Sequence, residues 1–160
     1  MSMNRNALAA TVLMLLCHNM SLPAAGDAAF TILPSSQTRQ LERLCSRDVP
    51  GRVSGGWDPT LAQVVEAESR LSRFIVETRR PDRPLNEDYY RQYLGVVIGR
   101  ERLIYINLFP RSLVERREAA GRDHWRTNFV DVCDGGDAFW GVLFDPQSLR
   151  FLSPRFNGVA

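Results

Sequence analysis

The sequence predicts an α+β domain, a long helix packed on an antiparallel β-meander of four to five strands, and three observations lead there. Residues 57–80 place apolar side chains at helical spacing along one stripe. After Tyr89 the period changes, and short runs rich in β-branched and aromatic residues follow one another to the C-terminus. Turn-forming residues separate those runs, so helices come first and strands afterwards.

The chain opens with a segment that does not belong to the domain. Arg5 precedes an apolar run from Ala7 to about Cys17, and small residues follow, which is the layout of a secretory signal peptide cleaved near Ala25 or Gly26. The run is too short for a stable membrane-spanning helix. Cys17 also admits a lipoprotein reading, in which a lipidated cysteine becomes the new N-terminus. Met14, Leu15 and Leu16 stand where such a site wants a small residue, so ordinary export is the expectation. The division is a signal peptide over 1–26 and a single α+β domain over 27–160, placed in the periplasm or secreted.

Of 160 residues, about 134 then remain. That suffices for one core burying roughly two-thirds of the unfolded surface, and is too few for two ordinary domains. In this part 19 arginines face 18 acids, and lysine is absent. A near-neutral balance without a long basic run argues against nucleic acid as a partner.

The elements follow in order. "FTILP" is extended. "SSQTRQLERLCSR" reads as a short helix with a serine cap and Leu41, Leu44 and Cys45 on one stripe. "GRVSGG" reads as a flexible connection. The long helix starts with Asp58 as its cap and Pro59 in its first turn, and aligns Leu61, Val64, Val65, Leu71, Phe74 and Ile75. "YYRQYLGVVIGRERLIYINLFP" is a hairpin of two strands. "SLVERREAAG" has a capping box at Ser112 and Glu115 and a glycine stop at Gly121, so a short helix is expected over 112–121. "WRTNFVDVCD", "DAFWGVLFD" and "LRFLSPRFNG" supply three further strands.

Two cysteines remain in the domain, Cys45 and Cys133, and an exported chain meets an oxidising compartment in which such a pair bridges. Closing a loop of 88 residues would stabilise the fold by roughly 4 to 5 kcal/mol on the chain-entropy model. A catalytic thiol or a metal pair would need a nearby histidine or two further ligands.

"CDGGDAFWGVLFD", residues 133–145, raises a separate question, since two aspartates flank two glycines. Strand, Gly-Gly, strand is a hairpin pattern, because a type I′ turn needs positive φ at both central positions. A calcium loop needs more oxygen ligands than Asp134 and Asp137 offer, and Asp145 lies at the far end of the next strand. The stretch reads as a turn.

The run of "YYRQYLGVV", "IYINLF", "HWRTNFVDV", "CDGGDAFWGVLFD" and a closing "FNGVA" resembles uncharacterised small secreted proteins and lipoproteins of bacteria. The shared pattern is Tyr-x-Arg-Gln-Tyr, Asn-x-Phe, Asp-Gly-Gly followed by aromatics, and a final Asn-Gly, over Tyr89 to Ala160. The resemblance implies a helix on an antiparallel sheet, similar to the cystatin-like fold. It implies no activity.

Catalytic inventory is thin. His124 sits in a polar connection, and "GRVSG" puts Ser54 one place too late for a nucleophile elbow. No phosphate-binding glycine loop or zinc-ligand spacing occurs. No catalytic residue, metal ligand or cofactor is therefore nominated. Cystatins present a Gln-x-Val-x-Gly hairpin, and "GVVIG", Gly95 to Gly99, has that frame with glycine where glutamine is needed, which argues against protease inhibition.

Binding has a geometric argument. With a turn at Arg100 and Glu101, Tyr93, Gly95 and Val97 pair with Ile104, Ile106 and Leu108 on a core face, where Gly95 lets the helix approach. The opposite face then carries Gln92, Leu94, Val96, Tyr105, Asn107 and Phe109, more apolar than a sheet surface left to water. Gln92, Tyr105, Asn107 and Phe109 are the candidate binding face, to be covered by the N-terminal helix, the 112–121 connection, a second subunit or an outside partner. The expectation is a non-enzymatic binding or inhibitor-type module whose partner is an envelope or extracellular protein or a second copy. The alternative is a small hydrolase or other small-molecule enzyme with a pocket between helix and sheet.

Overall fold

The computed structural model describes residues 29–78, 88–112 and 124–159. The leader expected over 1–26 and, beyond Ser112, the helix expected over 112–121 lie outside the described residues. The described chain is α+β. Its elements are β1 (Phe30–Ile32), a 3-10 helix (Ser35–Arg43), β2 (Val53–Trp57), α1 (Leu61–Thr78), β3 (Tyr89–Ile98), β4 (Glu101–Pro110), α2 (His124–Thr127), a 3-10 turn (Gly136–Ala138), β5 (Trp140–Asp145) and β6 (Arg150–Phe156).

The six strands form one mixed sheet. From β3 to β6 it is the antiparallel meander that the sequence predicts. Two short strands share the outer edge of β3: β1 runs parallel to its first half, from Phe30 opposite Arg91 to Ile32 opposite Tyr93. β2 runs antiparallel to its second half, from Trp57 opposite Gly95 to Val53 opposite Ile98. β2 replaces the flexible connection expected at "GRVSGG". Its two glycines read as loop residues, yet at Gly56 a Cβ would meet the Thr38 side chain at 2.7 Å, so glycine there admits the 3-10 helix.

α1 buries Val64, Ala67, Leu71 and Ile75 against Tyr93, Ile104, Ile106, Leu108, Trp140, Val142 and Phe144. Its cap is Thr60, not Asp58. The Gln63 amide donates to Thr60 Oγ1 at 3.3 Å, and the Thr60 amide donates to Gln63 Oε1 at 2.9 Å, a reciprocal capping box. Asp58 instead accepts from the Ser35 amide at 2.8 Å and so fixes the start of the 3-10 helix. Glu68 ties α1 to the sheet through Arg91, with oxygen–nitrogen distances of 2.6 and 2.9 Å, and accepts a hydrogen bond from the Tyr93 hydroxyl.

The hairpin turns at Gly99 and Arg100, pairing Ile98 with Glu101, Gly95 with Ile104 and Tyr93 with Ile106. This is two residues from the register expected with a turn at Arg100 and Glu101. A slip of two leaves every side chain on its predicted face, whereas a slip of one would have exchanged the faces. Gly95 admits Trp57 rather than the helix, since a Cβ there would lie 2.1 Å from the Trp57 carbonyl oxygen.

The predicted strand over "WRTNFVDVCD" is a different element. After α2, residues 128–134 cross the far side of the sheet without entering its ladder. Gly135 and Gly136 do take positive φ, 99° and 57°. They join this crossing strap to β5 by a 3-10 turn, not by a two-residue hairpin, because the strap lies over the sheet face and not beside β5.

Candidate functional site

The face expected to meet a partner is interior. Gln92, Tyr105 and Phe109 are fully buried and Asn107 is 1 % exposed. Leu94, Val96, Leu103, Tyr105 and Leu143 pack under Leu33, Leu41 and Phe129, while Phe109 packs with Trp125 and Phe139. The N-terminal 3-10 helix and the 124–134 strap are thus the cover, and the sheet is the middle of three layers. Tyr90 stacks on Trp125 at 4.3 Å between ring centres, with Arg111 over the tyrosine and Arg126 over the indole.

A strap lying over a sheet face cannot satisfy its buried peptide groups by strand pairing, so other groups must do so. Side-chain amides offer both a donor and an acceptor, as a peptide does. Gln92 donates to the carbonyls of Trp125 at 2.5 Å and Asn128 at 2.7 Å, and accepts from the Val130 amide at 2.9 Å. Asn107 donates to the Val130 carbonyl at 2.8 Å and to Gln92 Oε1 at 2.9 Å. Asn157 donates to the carbonyls of Val132 at 2.6 Å and Asp134 at 3.2 Å. From the opposite side Gln37 donates to the Thr127 carbonyl at 2.6 Å and accepts from the Phe129 amide at 2.9 Å.

Arg47 closes the network. Its side chain enters from the segment after the 3-10 helix and donates to the Tyr105 hydroxyl at 3.0 Å and to the side-chain carbonyls of Asn107 and Asn157. The residue is 7 % exposed. A buried guanidinium is costly unless its donors are matched, and three oxygens match them here. The Tyr105 ring reaches this position by leaning over Gly141, where a Cβ would stand 2.1 Å from the phenol oxygen. Burial pushes the Tyr105 hydroxyl above its usual value, against the opposing pull of Arg47. Burial also raises Tyr93 well above its usual value, and the neighbouring Glu68 carboxylate adds to the rise.

Cys45 and Cys133 are bridged, with their Cα atoms 4.8 Å apart. The bridge sits at a junction of three segments. The Gly136 amide donates to the Gly158 carbonyl at 3.1 Å, the Gly158 amide donates to Ser46 Oγ at 3.0 Å, and the Cys45 amide donates to Asp131 Oδ2 at 3.3 Å. Asp134 and Asp137 belong to this turn. Among the described residues no three His, Cys, Asp or Glu side chains gather into a metal-binding group.

Sequence reading singled out Gln92, Tyr105, Asn107 and Phe109 and passed over Arg47, Gln37 and Asn157. The usable sign was parity: Gln92 and Asn107 face the same way in a strand pair otherwise apolar, and a buried amide needs partners. His124 is exposed, and Ser54 is an exposed β2 residue whose hydroxyl donates to the Val97 carbonyl at 3.2 Å. Beside the disulfide-bearing segment lies an open groove of about 860 Å³, lined by Leu41, Glu42, Asp48, Val49, Arg52 and Val53 among others. Among the described residues no helix is long and apolar enough to cross a membrane. No family model, curated protein or solved structure matches the chain.

Proposed function

We propose that this chain is an exported, non-enzymatic binding module with a cystatin-like build, related to the small secreted bacterial proteins that its motifs resemble. The observation that carries the reading is where the polar side chains go. Gln92, Asn107, Asn157 and Arg47 converge on the covered face of the sheet, and they grip the molecule's own strap. The space between α1 and the sheet is filled by Val64, Ala67, Leu71 and Ile75 against the strands, which speaks against the alternative of an enzyme with its pocket there. The amides of the Tyr-x-Arg-Gln-Tyr, Asn-x-Phe and Asn-Gly motifs therefore act as strap holders in this chain.

Binding then falls to the open groove beside the 3-10 helix. Leu41 and Val53 give it an apolar floor, and Glu42, Asp48 and Arg52 a charged rim, the division found in protein–protein contacts. The partner is an envelope or extracellular protein. The test compares baits: wild-type protein and Val49→Asp plus Arg52→Glu, each incubated with envelope and extracellular fractions. A partner recovered by the wild type and lost with the variant supports the reading. Equal recovery by both baits, or self-association alone, contradicts it. Export is tested separately by the intact mass of envelope material, which should lack the leader and carry two hydrogens fewer than the reduced chain; retained leader or free thiols at Cys45 and Cys133 overturn it.

A further inference from the structure

We infer that the Cys45–Cys133 bridge is a redox-sensitive latch on the strap, and that its reduction frees the far side of the sheet while leaving the helix side folded. Both cysteines are exposed, so a thiolate can reach either sulfur. The bridge fastens the segment that delivers Arg47, two residues on from Cys45, to the strap whose peptide groups Gln92 and Asn107 hold. Everything tied at that junction belongs to one layer: the strap, the C-terminal Asn157 and Gly158, and the Arg47 segment.

The other layer does not depend on it. α1 packs on the opposite face in a core of its own, which shares no buried residue with the two clusters beneath the cover. Lifting the cover exposes Phe109, Trp125 and Phe129 and exchanges the three bonds that Arg47 donates, and those of the strap-holding amides, for bonds to water. The exchange of hydrogen bonds returns little, so a covalent tie that closes 88 residues of chain carries much of what holds the strap down.

The chemistry needs an external dithiol, either a small one or a dithiol reductase. Its thiolate attacks one sulfur of the bridge and forms a mixed disulfide, and the other cysteine leaves as thiolate. The second thiol of the reductant then closes on the first. The protein has gained two electrons and two protons, the dithiol has become a disulfide, and Cys45 and Cys133 are thiols.

Hydrogen exchange of the oxidised protein, with and without dithiothreitol and without denaturant, tests this. Reduction should accelerate the Phe129, Val130 and Gly158 amides by about 100-fold or more, with Leu71 and Ile106 amides unchanged. The double variant Cys45→Ser plus Cys133→Ser, free of reductant, should give the same pattern. A bridge that resists dithiothreitol, or no change at the strap on reduction, overturns the latch. So does acceleration at Leu71 and Ile106 together with the strap, because the bridge would then be a staple for the whole domain.

Discussion

Arg47 and Asn107 stand 60 residues apart in the chain, and the guanidinium of one donates to the side-chain carbonyl of the other beneath the strap. Asn107 passes the connection on to the Val130 carbonyl and to Gln92. One cation thereby fixes the orientation of the amides that hold residues 125–134 to the sheet.

Replacing Arg47 by Met keeps most of the stem volume and removes all three donated bonds, leaving the Tyr105, Asn107 and Asn157 oxygens short of donors in a buried site. The expected loss of stability is about 3 kcal/mol, given roughly 1 to 3 kcal/mol for each buried group left unsatisfied and some relaxation. Urea denaturation measures it. In the Arg47→Met background Asn107→Ala should cost less than in the wild type, because the two residues share one network. Full additivity would show that they do not.

Gly141 and Tyr105 give an independent check on the same side of the sheet. Gly141→Ala puts a methyl group where the phenol lies, so the ring must move off Arg47, at a cost of about 1 to 3 kcal/mol as in other overpacked cores. Tyr105→Leu removes the obstruction, and Gly141→Ala should cost little in that background. Equal cost in both backgrounds would locate the penalty in the strand and not in the ring.

Alkaline pH should weaken the fold through Tyr93 and Tyr105. Both have folded-state values raised above the ordinary 10.0 by burial. Above pH 10 the unfolded chain therefore releases protons that the native chain still holds, and stability falls as pH rises. Below pH 10 the contribution is fully present. Denaturation midpoints between pH 8 and 12 should drop more steeply for the wild type than for Tyr93→Phe, and parallel curves would contradict the assignment.

At the start of α1, Thr60→Ala should lower stability by about 1 kcal/mol through loss of the cap, and Gln63→Ala in addition should cost less than it does alone. Asp58→Ala should loosen the Ser35 end of the 3-10 helix and leave the helical amides of α1 unchanged in exchange experiments. Faster exchange in the first turn of α1 on Asp58→Ala would restore Asp58 as the cap.

The α+β class, α1, the meander and the division of β3 and β4 into two faces were legible because periodicity alone determines them. The Cys45–Cys133 pairing was legible from the count of cysteines. The strap was not, since residues 125–134 have the β-branched and aromatic content of a strand, and only the amides on another part of the chain turn them into a cover. β2 was hidden by Gly55 and Gly56, which local propensity assigns to a loop, although at Gly56 it is Thr38 and Ser35 that leave no room for a side chain. Parity put Gln92, Tyr105, Asn107 and Phe109 on one face, with the N-terminal helix among its candidate covers; the second cover, the 124–134 strap, was not legible because it read as a strand. Asp58-Pro59 reads as the start of α1, and Thr60 was passed over although Gln63, three residues on, completes a capping box with it.

The face of Gln92, Tyr105, Asn107 and Phe109 is interior, closed by the chain's own strap. Hydroxyl-radical footprinting of the oxidised protein tests it most directly, with the partly exposed Trp57 as an internal reference. Tyr105 and Phe109 should remain unlabelled under doses that modify Trp57 and should become reactive only when the strap is released. Labelling of Tyr105 and Phe109 in the oxidised protein at a rate comparable with Trp57 would contradict the claim and return the face to solvent.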